Sequence, residues 1–298
     1  MNLAVPSAPT STSTSALAPA SAPASASAEA ISPVGALLRE WRQRRRLSQL
    51  ELACDAEIST KHLSFVETGR ARPSREMLLQ LAERLQVPLR ERNRLFAAAG
   101  YAPLYAERAL DDPVLKAARE AIHLVLAGHE PYPALAVDRR WSMVHANAAV
   151  APLLDGVDAA LLAPPANVLR LSLHPRGLAP RIVNLREWRA HLLSRLQNDI
   201  NASGDPGLMQ LLDELRGYPG ESGSAAPAAA HARDLRASPL PPGGAVVPLR
   251  LCVADSVLDF FSTTTVFGTP LDVTLSELAI ESFFPANAHT AERLRARR

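Results

Sequence analysis

The sequence has few of the residues that build disulfide scaffolds, metal sites or membrane spans. Its two cysteines, Cys54 and Cys252, lie far apart, and neither has a partner at CxxC spacing. This argues against a disulfide framework and a cysteine-rich metal site, and favours a reducing, cytoplasmic compartment. No apolar run approaches the 18 or so residues that a membrane helix needs, so we predict no membrane association.

Familiar catalytic motifs are also missing. The sequence contains no HExxH, no GxSxG and no GxGxxG or phosphate loop. Three histidines, His123, His129 and His145, are not at zinc-binding spacing and have no cysteine nearby. We therefore expect no metal, no cofactor and no enzymatic activity, with a metal-dependent or hydrolytic enzyme as a remote alternative.

The first 32 residues are almost entirely Ala, Ser, Pro and Thr, with one charge at Glu29. Such a segment buries too little apolar surface to offset its ordering entropy, so residues 1–32 are predicted to be a disordered leader. A signal peptide does not fit, because a basic start is lacking and polar residues interrupt every apolar stretch.

Charge is unevenly distributed, although the whole chain has a net charge of only +2. Residues 33–100 have 13 Lys and Arg against 8 Asp and Glu, whereas the rest of the chain has 19 against 22. A basic part joined to a slightly acidic part is typical of a nucleic-acid-binding module attached to a second domain.

Periodicity predicts two folded parts. Residues 33–100 show successive short helical patterns with short joints, which predicts an all-α domain of five helices. Residues 101–112 read as a joint. Beyond it, residues 113–290 mix helices and strands in no βαβ rhythm, which predicts an α+β domain that contains a mobile loop at 217–243. A basic tail is expected at 291–298.

Individual elements of the second part follow from local patterns. Helices are predicted at 113–127, 147–154, 185–201 and 207–215, and a final helix or turn at 290–297. Strands are predicted at 132–137, 141–145, 245–254 and 258–267.

The most informative stretch is residues 47–69, which predicts a helix-turn-helix. Ser48 and Glu51 form a potential capping box for a first helix, and Ser59 is placed to cap a second. Between them, the small side chain of Ala53 suits two helices that cross at a tight turn, and Ile58 is the expected buried residue of that turn.

The second helix would leave a polar set near its N-terminal end, which is the end that enters the major groove in helix-turn-helix proteins. We predict base or phosphate contacts from Thr60, Lys61, His62, Ser64 and Phe65. Contacts to the DNA backbone are predicted from Gln49, Ser59, Arg70 and Arg72. The alternative is a helical bundle with solvated charges, and the arginine-rich run at 39–46 would fit a solvated helix face equally well.

Segment 35–99 resembles the XRE, or Cro and phage-repressor, family of helix-turn-helix domains. The matching residues are Gly35–Arg42, Leu47–Gln49, Leu52–Ala53, Ile58–Ser59, Ser64–Gly69 and Pro73–Ser74. One departure is Glu57, at a turn position where that family most often has glycine. The resemblance implies binding to double-stranded DNA, with a different turn or some backbone strain at Glu57.

The rest of the chain resembles regulators with an MmyB-like ligand-binding domain. This resemblance rests on Pro88–Pro103, Pro133–Trp141, Asn147–Ala149, Asn167–Arg170 and Asp272–Phe284. It implies a PAS-like α+β sensor and control of DNA binding by a small molecule. The fold class expected for the whole chain is thus an all-α five-helix helix-turn-helix domain followed by an α+β PAS-like domain.

A ligand pocket in such a domain would be largely apolar with a few polar anchors, which suits a small apolar or lipid-like molecule. Candidate contacts are Trp141, His145, Asn147, Arg170 and His174. Each has a plainer interpretation: core packing for the large apolar residues, a core or rim position for His145, a helix cap for Asn147 and an ion pair for Arg170.

One small reading head contacts only a few base pairs, so a homodimer on a pseudo-palindromic site is expected. The sequence therefore predicts a cytoplasmic, nucleoid-associated transcription regulator that binds DNA and senses a small molecule. A helical protein-interaction module without sequence-specific DNA binding is the alternative.

Overall fold

The computed structural model describes residues 34–219, 246–268 and 270–296. The predicted leader at 1–32 and most of the loop predicted at 217–243 lie outside these residues. The N-terminal domain contains the five expected helices: α1 (Val34–Arg44), α2 (Gln49–Asp55), α3 (Thr60–Glu67), α4 (Arg75–Arg84) and α5 (Leu89–Ala98).

Serine caps define where α2, α3 and α4 begin, because each cap satisfies a backbone N–H that has no partner inside its helix. Ser48 Oγ accepts a hydrogen bond from the Glu51 N–H at 3.1 Å, and the Glu51 carboxylate accepts one from the Ser48 N–H at 2.6 Å. The predicted capping box is therefore present. Ser59 caps α3 through the His62 N–H at 3.1 Å, as expected.

The turn between α2 and α3 keeps the geometry that glycine would favour. Glu57 has a φ of 53°, in the left-handed region. Ala53 is 1% exposed and Ile58 is half-buried beneath the turn. Of the two outcomes expected for Glu57, the turn is retained and the backbone carries the strain, at a cost of about 1 kcal/mol.

The second domain is α+β. After a 3-10 turn at Pro113–Leu115, its helices are α6 (Lys116–Gly128), α7 (Ala159–Leu162), α8 (Val168–Leu173), α9 (Leu185–Ser203), α10 (Pro206–Gly217), α11 (Val273–Ser276) and α12 (Ala288–Arg295). Its strands are β1 (Ala134–Val137), β2 (Met143–Ala146), β3 (Leu249–Val253), β4 (Ser256–Val266) and β5 (Ala279–Pro285).

The five strands form one antiparallel sheet in the order β2-β1-β5-β4-β3. One face is covered by α6, whose Ile122 and Leu126 pack with Ala136 and Ile280. The opposite face packs against α9 and α10 in the largest apolar cluster, in which Phe260 is fully buried. The functional features of this domain lie on that second face.

Three local predictions need correction. Strand β5 is the central strand of the sheet but was not predicted as a strand. Asn147 is not a helix cap: residues 147–154 contain only a 3-10 turn at Ala151–Leu153, which no side chain caps. Residues 291–295, which the predicted domain boundaries assigned to a tail, belong to α12, in agreement with the helix or turn predicted at 290–297, and Leu294 of this helix is buried.

Within the described ranges, no helix combines the length and apolar character required to cross a membrane. Over the same ranges, no group of three or more His, Cys, Asp or Glu residues is arranged to hold a metal ion.

Candidate functional sites

The outer face of α3 carries four of the nine residues predicted to contact DNA. At 100° per residue, Thr60, Lys61, Ser64 and Phe65 fall on one side of the helix. The opposite side holds the fully buried Leu63 and Val66. His62, which is half-buried, projects near the Val66 side, so it lies at the margin of this face rather than at its centre.

Phe65 supports two cations on that face. The Lys61 Nζ lies 5.7 Å from the centre of the Phe65 ring, and the Arg70 guanidinium carbon lies 5.9 Å from it. Both distances are within the range of cation–π attraction. The aromatic ring therefore lies close to two positive charges at the surface of the domain.

Two of the predicted backbone contacts already have intramolecular partners. The Arg72 guanidinium donates to the Ala99 carbonyl and lies 5.0 Å from the Tyr101 ring centre. The Gln49 amide donates to the Glu67 carboxylate at 2.8 Å. Either side chain would have to exchange these contacts for a phosphate.

Glu67 is the centre of a buried ionic network beneath α3. Its carboxylate accepts hydrogen bonds from Arg42 Nε at 2.6 Å and Arg42 Nη2 at 2.9 Å, in addition to the Gln49 amide. Burial raises the pKa of Glu67, but the hydrogen bonds from Arg42 and Gln49 outweigh it, so the pKa lies below its usual value. The network fixes α1, α2 and α3 relative to one another.

The second domain contains a cavity of about 90 Å³ between the sheet and helices α8 and α9. Most of its walls are apolar, which matches the expected character of a ligand pocket. The apolar lining includes Leu135, Trp141, Met143, Val168, Leu169, Trp188, Leu192, Leu249 and Phe283. Its polar groups come from Ser172, Arg195, Ser262 and Glu281.

Arg195 and Glu281 form an ion pair in the cavity wall. Arg195 Nη1 donates to Glu281 Oε2 at 3.0 Å, and Nη2 donates to Thr264 Oγ1 at 2.6 Å. Thr264 in turn donates to Glu281 Oε1 at 2.9 Å. The guanidinium also lies 4.6 Å from the Trp141 ring centre, so four side chains close this wall together.

A cleft of about 290 Å³ lies on the other side of this wall, between the two domains. Trp141, Arg195 and Glu281 line both spaces. On the side of the DNA-binding domain, the cleft is lined by Arg90 and Glu91 of α5 and by Pro88, which directly precedes that helix. The same wall therefore borders the cavity and the interdomain contact.

Only one of the five predicted ligand residues lies in the cavity. Trp141 lines it, and its Nε1 donates to Asp199 Oδ2 at 3.0 Å. Arg170 forms a two-fold ion pair with Glu214, at 2.9 and 2.7 Å, as its plainer interpretation suggested.

The other three predicted ligand residues make internal contacts. His145 lies 4.5 Å from the His123 ring, centre to centre. His174 lies 5.0 Å from the Tyr218 ring and accepts from the Arg176 N–H. Asn147 accepts from the Ala134 N–H and donates to the Leu126 and Tyr132 carbonyls. Its amide therefore connects segments of the fold, and both of its N–H donors are used within the domain.

The sequence interpretation missed Arg195 and Glu281. A signal for Arg195 was present: it follows Trp188 and Leu192 at i+7 and i+3, which places an arginine within the apolar stripe of an amphipathic helix. Glu281 had no comparable signal, because its strand was not predicted and its partner is remote in sequence.

Comparison with protein-family models gives two matches. Residues 33–95 match a helix-turn-helix domain. Residues 118–296, more than half of the chain, match the MmyB-like transcription regulator ligand binding domain. The chain belongs to the MmyB-like transcription regulators. This regulator therefore joins a DNA-binding helix-turn-helix domain to a ligand-binding domain, which confirms both resemblances.

Comparisons with individual proteins add less. Among solved structures, the regulator is similar to the clp gene regulator ClgR from Corynebacterium glutamicum, at 30% identity over 33% of this chain and 90% of that chain, with a TM-score of 0.20. A comparison with curated proteins finds no match.

Proposed function

We propose that this MmyB-like regulator binds specific double-stranded DNA sites through α3 and alters that binding when a small, largely apolar molecule occupies the cavity. The observation that carries the proposal is the exposed face of α3, where Phe65 holds Lys61 and Arg70 at the surface. The N-terminal end of such a helix is the part that enters the major groove.

Roles on this face follow from side-chain chemistry. Thr60 and Ser64 can hydrogen-bond to base edges or phosphates, and Lys61 can reach guanine acceptors or the backbone. Arg70 and Ser59 are suited to phosphate contacts at the two ends of α3. Gln49 and Arg72 are suited to the same role once they give up their hydrogen bonds to the Glu67 carboxylate and the Ala99 carbonyl.

The proposed ligand would occupy the apolar cavity and take its few polar contacts from Ser172, Ser262 and Arg195. Trp141 remains a proposed contact because it forms part of the wall. A lipid-like or aromatic compound suits this lining, since most of its surface would face carbon atoms.

A homodimer is proposed for the DNA complex. One reading helix contacts only a few base pairs, whereas two copies spaced by a helical turn recognise a longer pseudo-palindrome. Sedimentation of the full chain with and without DNA would test this directly.

The DNA proposal is tested by selecting sites from a random duplex library and measuring affinity at several salt concentrations. Lys61→Ala should weaken binding to all sequences and reduce the salt slope by about 1. Thr60→Ala should instead relax selection at one or two positions. Lys116→Ala, an exposed lysine of the second domain, is the matched control. Binding that is independent of sequence and salt would favour the protein-interaction alternative.

The ligand proposal is tested by thermal shift with a panel of medium-chain fatty acids, alcohols and aromatic acids. A stabilising compound should lose its effect in Val168→Phe, which fills the cavity. Val114→Phe adds the same bulk at a site that is 68% exposed and should retain the effect. Equal shifts in the two variants would contradict binding in this cavity.

A further inference from the structure

The arginine-rich run of α1 ends against the second domain. Arg44 Nη1 donates to the Ile200 carbonyl at 3.3 Å. The Arg45 guanidinium donates to the Asn201 carbonyl at 3.4 Å and the Ala202 carbonyl at 3.3 Å. These three carbonyls belong to the last turn of α9, at the negative end of the helix dipole, where carbonyls lack partners farther along the helix. The Ile200 carbonyl also accepts a hydrogen bond from the Gly204 N–H at 2.7 Å. Two cations are therefore placed where a helix attracts them.

The same two arginines are anchored in the DNA-binding domain. Their guanidinium carbons lie 5.1 and 5.3 Å from the ring centre of Trp41, which is 5% exposed. Arg45 also donates to the Leu85 carbonyl at 2.9 Å and the Gln86 carbonyl at 3.0 Å, at the end of α4. The contact thus connects α9 to the core of the DNA-binding domain.

The close approach also depends on the residue that ends α9. Gly204 has a φ of 68° and caps the helix. A Cβ atom at this position would lie 2.3 Å from Arg44 Nη1. Glycine therefore serves both the left-handed backbone and the space that the guanidinium occupies.

The N-terminal and middle turns of α9 border the cavity. Trp188, Leu192 and Arg195 line it, and Asp199 accepts the hydrogen bond from Trp141. Their spacing of four, three and four residues places all of them on one face of the helix. The helix has 19 residues and a length of about 28 Å. A displacement at Leu192 would therefore carry the last turn with it.

A second contact between the domains lies beside the cleft. Arg90 of α5 donates to the Glu277 carboxylate at 2.8 and 2.9 Å. Arg139 approaches the same carboxylate at 3.6 Å. Since Arg139 lies two residues before Trp141, this contact also begins near the wall of the cavity.

We propose that Arg44 and Arg45 are coupling residues: they bind the end of α9, and α9 transmits occupancy of the cavity to the DNA-binding domain. The inference rests on the proposed ligand-controlled regulator and names how that control is transmitted. It also gives this part of the arginine run a role other than a DNA contact or a solvated helix face.

A double-mutant cycle on the full chain tests the coupling without an identified ligand. Leu192→Ala enlarges the cavity, and Arg44→Gln/Arg45→Gln removes the contact with α9. The control Arg84→Gln/Arg94→Gln removes the same charge from two exposed positions of the DNA-binding domain. Affinity for the best DNA site selected by the unmodified protein is measured in all combinations, and Leu192→Val replaces Leu192→Ala if the latter does not fold.

Leu192 lies more than two helical turns from the carbonyls that bind the arginines, so independent effects should multiply. We expect Leu192→Ala to change DNA affinity at least fivefold in the unmodified and control backgrounds, but less than twofold in Arg44→Gln/Arg45→Gln. An equal effect in all three backgrounds, including no effect, would overturn the proposal.

A second readout does not require DNA. Hydrogen exchange of the last turn of α9 should be several-fold faster in Arg44→Gln/Arg45→Gln and unchanged in the control. Gly204→Ala, which disturbs the contact from the α9 side, should act in the same direction. If the protein does not bind DNA, the proposed function fails, but this measurement still tests the contact. Equal exchange rates in Arg44→Gln/Arg45→Gln and the unmodified protein would refute the contact.

Discussion

Each domain contains a buried arginine–glutamate pair, and the two pairs differ in what surrounds them. In the DNA-binding domain, the side chains of Arg42 and Glu67 are 10% and 1% exposed, and Gln49 completes their contacts. In the ligand-binding domain, the Glu281 side chain is 5% exposed, but that of Arg195 is 25% exposed and borders both a cavity and a cleft.

This difference shows how the same chemistry serves two purposes. The enclosed pair fixes the crossing of three helices, and its carboxylate is almost completely buried. The open pair forms one wall of a space, so a molecule in the cavity or water in the cleft can reach the guanidinium. Rigidity is therefore expected around α3, and adaptability in the ligand-binding domain.

The largest effect is expected from breaking the enclosed pair. Glu67→Ala leaves Arg42 buried without its partner and should lower the free energy of unfolding by about 3–5 kcal/mol. Urea denaturation of the full chain measures this. Glu76→Ala, at an exposed position of α4, is the control and should change little. If the two variants were equally stable, the network would not be holding the domain together.

Breaking the open pair should cost less. In Glu281→Ala, Arg195 keeps Thr264 and the Trp141 ring and can gain water from the cleft, so we expect a loss of about 2 kcal/mol. The same denaturation experiment compares it with Glu187→Ala, an exposed residue of α9. A cost equal to that of Glu67→Ala would remove the distinction between the pairs.

A smaller gain is expected from relieving strain in the DNA-binding domain. Glu57 has a φ of 53°, and Glu57→Gly should raise the free energy of unfolding by about 1 kcal/mol, because glycine adopts this conformation without a steric penalty. Glu57→Ala keeps the strain and should show no gain. Identical thermal midpoints for the two variants would rule out strain at this turn.

The smallest expected effect is a difference between the two domains in the pH at which each loses stability. Burial, followed by His123 and Arg119, lowers the pKa of His145, and burial with Arg195 lowers that of His191. The unfolded chain therefore binds protons that the folded domain resists, so stability falls as the pH drops below about 6.5. For Glu67, whose pKa is also lowered, stability falls only as the pH drops below about 4.3.

Between these two values, acidification should weaken the ligand-binding domain first. Hydrogen exchange at pH 7 and pH 5.5 would detect this, and His145→Gln should reduce the difference. If α1–α5 lost protection first, the assignment of the three titrating groups His145, His191 and Glu67 to this pH dependence would be incorrect.

The DNA-binding domain could be predicted in detail because its signals are local. Ser48, Glu51 and Ser59 act within three residues of themselves, so a sequence pattern contains the whole interaction. Even the backbone at Glu57 follows from a turn whose geometry depends on its neighbours.

The ligand-binding domain was predicted less completely because its determinants are remote. Glu281 interrupts the apolar pattern of β5 and pairs with Arg195, 86 residues away, so neither the strand nor the pair has a local signal. Asn147 also resembles a cap in sequence, but its amide binds backbone groups up to 21 residues away. In such cases the sequence shows that a polar residue is present but does not show which group its side chain binds.

The arginine contact with α9 has a consequence for protein engineering. A chimeric biosensor made by exchanging residues 33–100 for another helix-turn-helix would retain the sensor domain but lose Arg44 and Arg45. If Arg44 and Arg45 couple the domains as proposed, such a fusion is expected to bind its new operator with an affinity that does not respond to the ligand. Grafting arginines onto the last turn of the incoming first helix, opposite Gly204, would be the design step that restores a dose response.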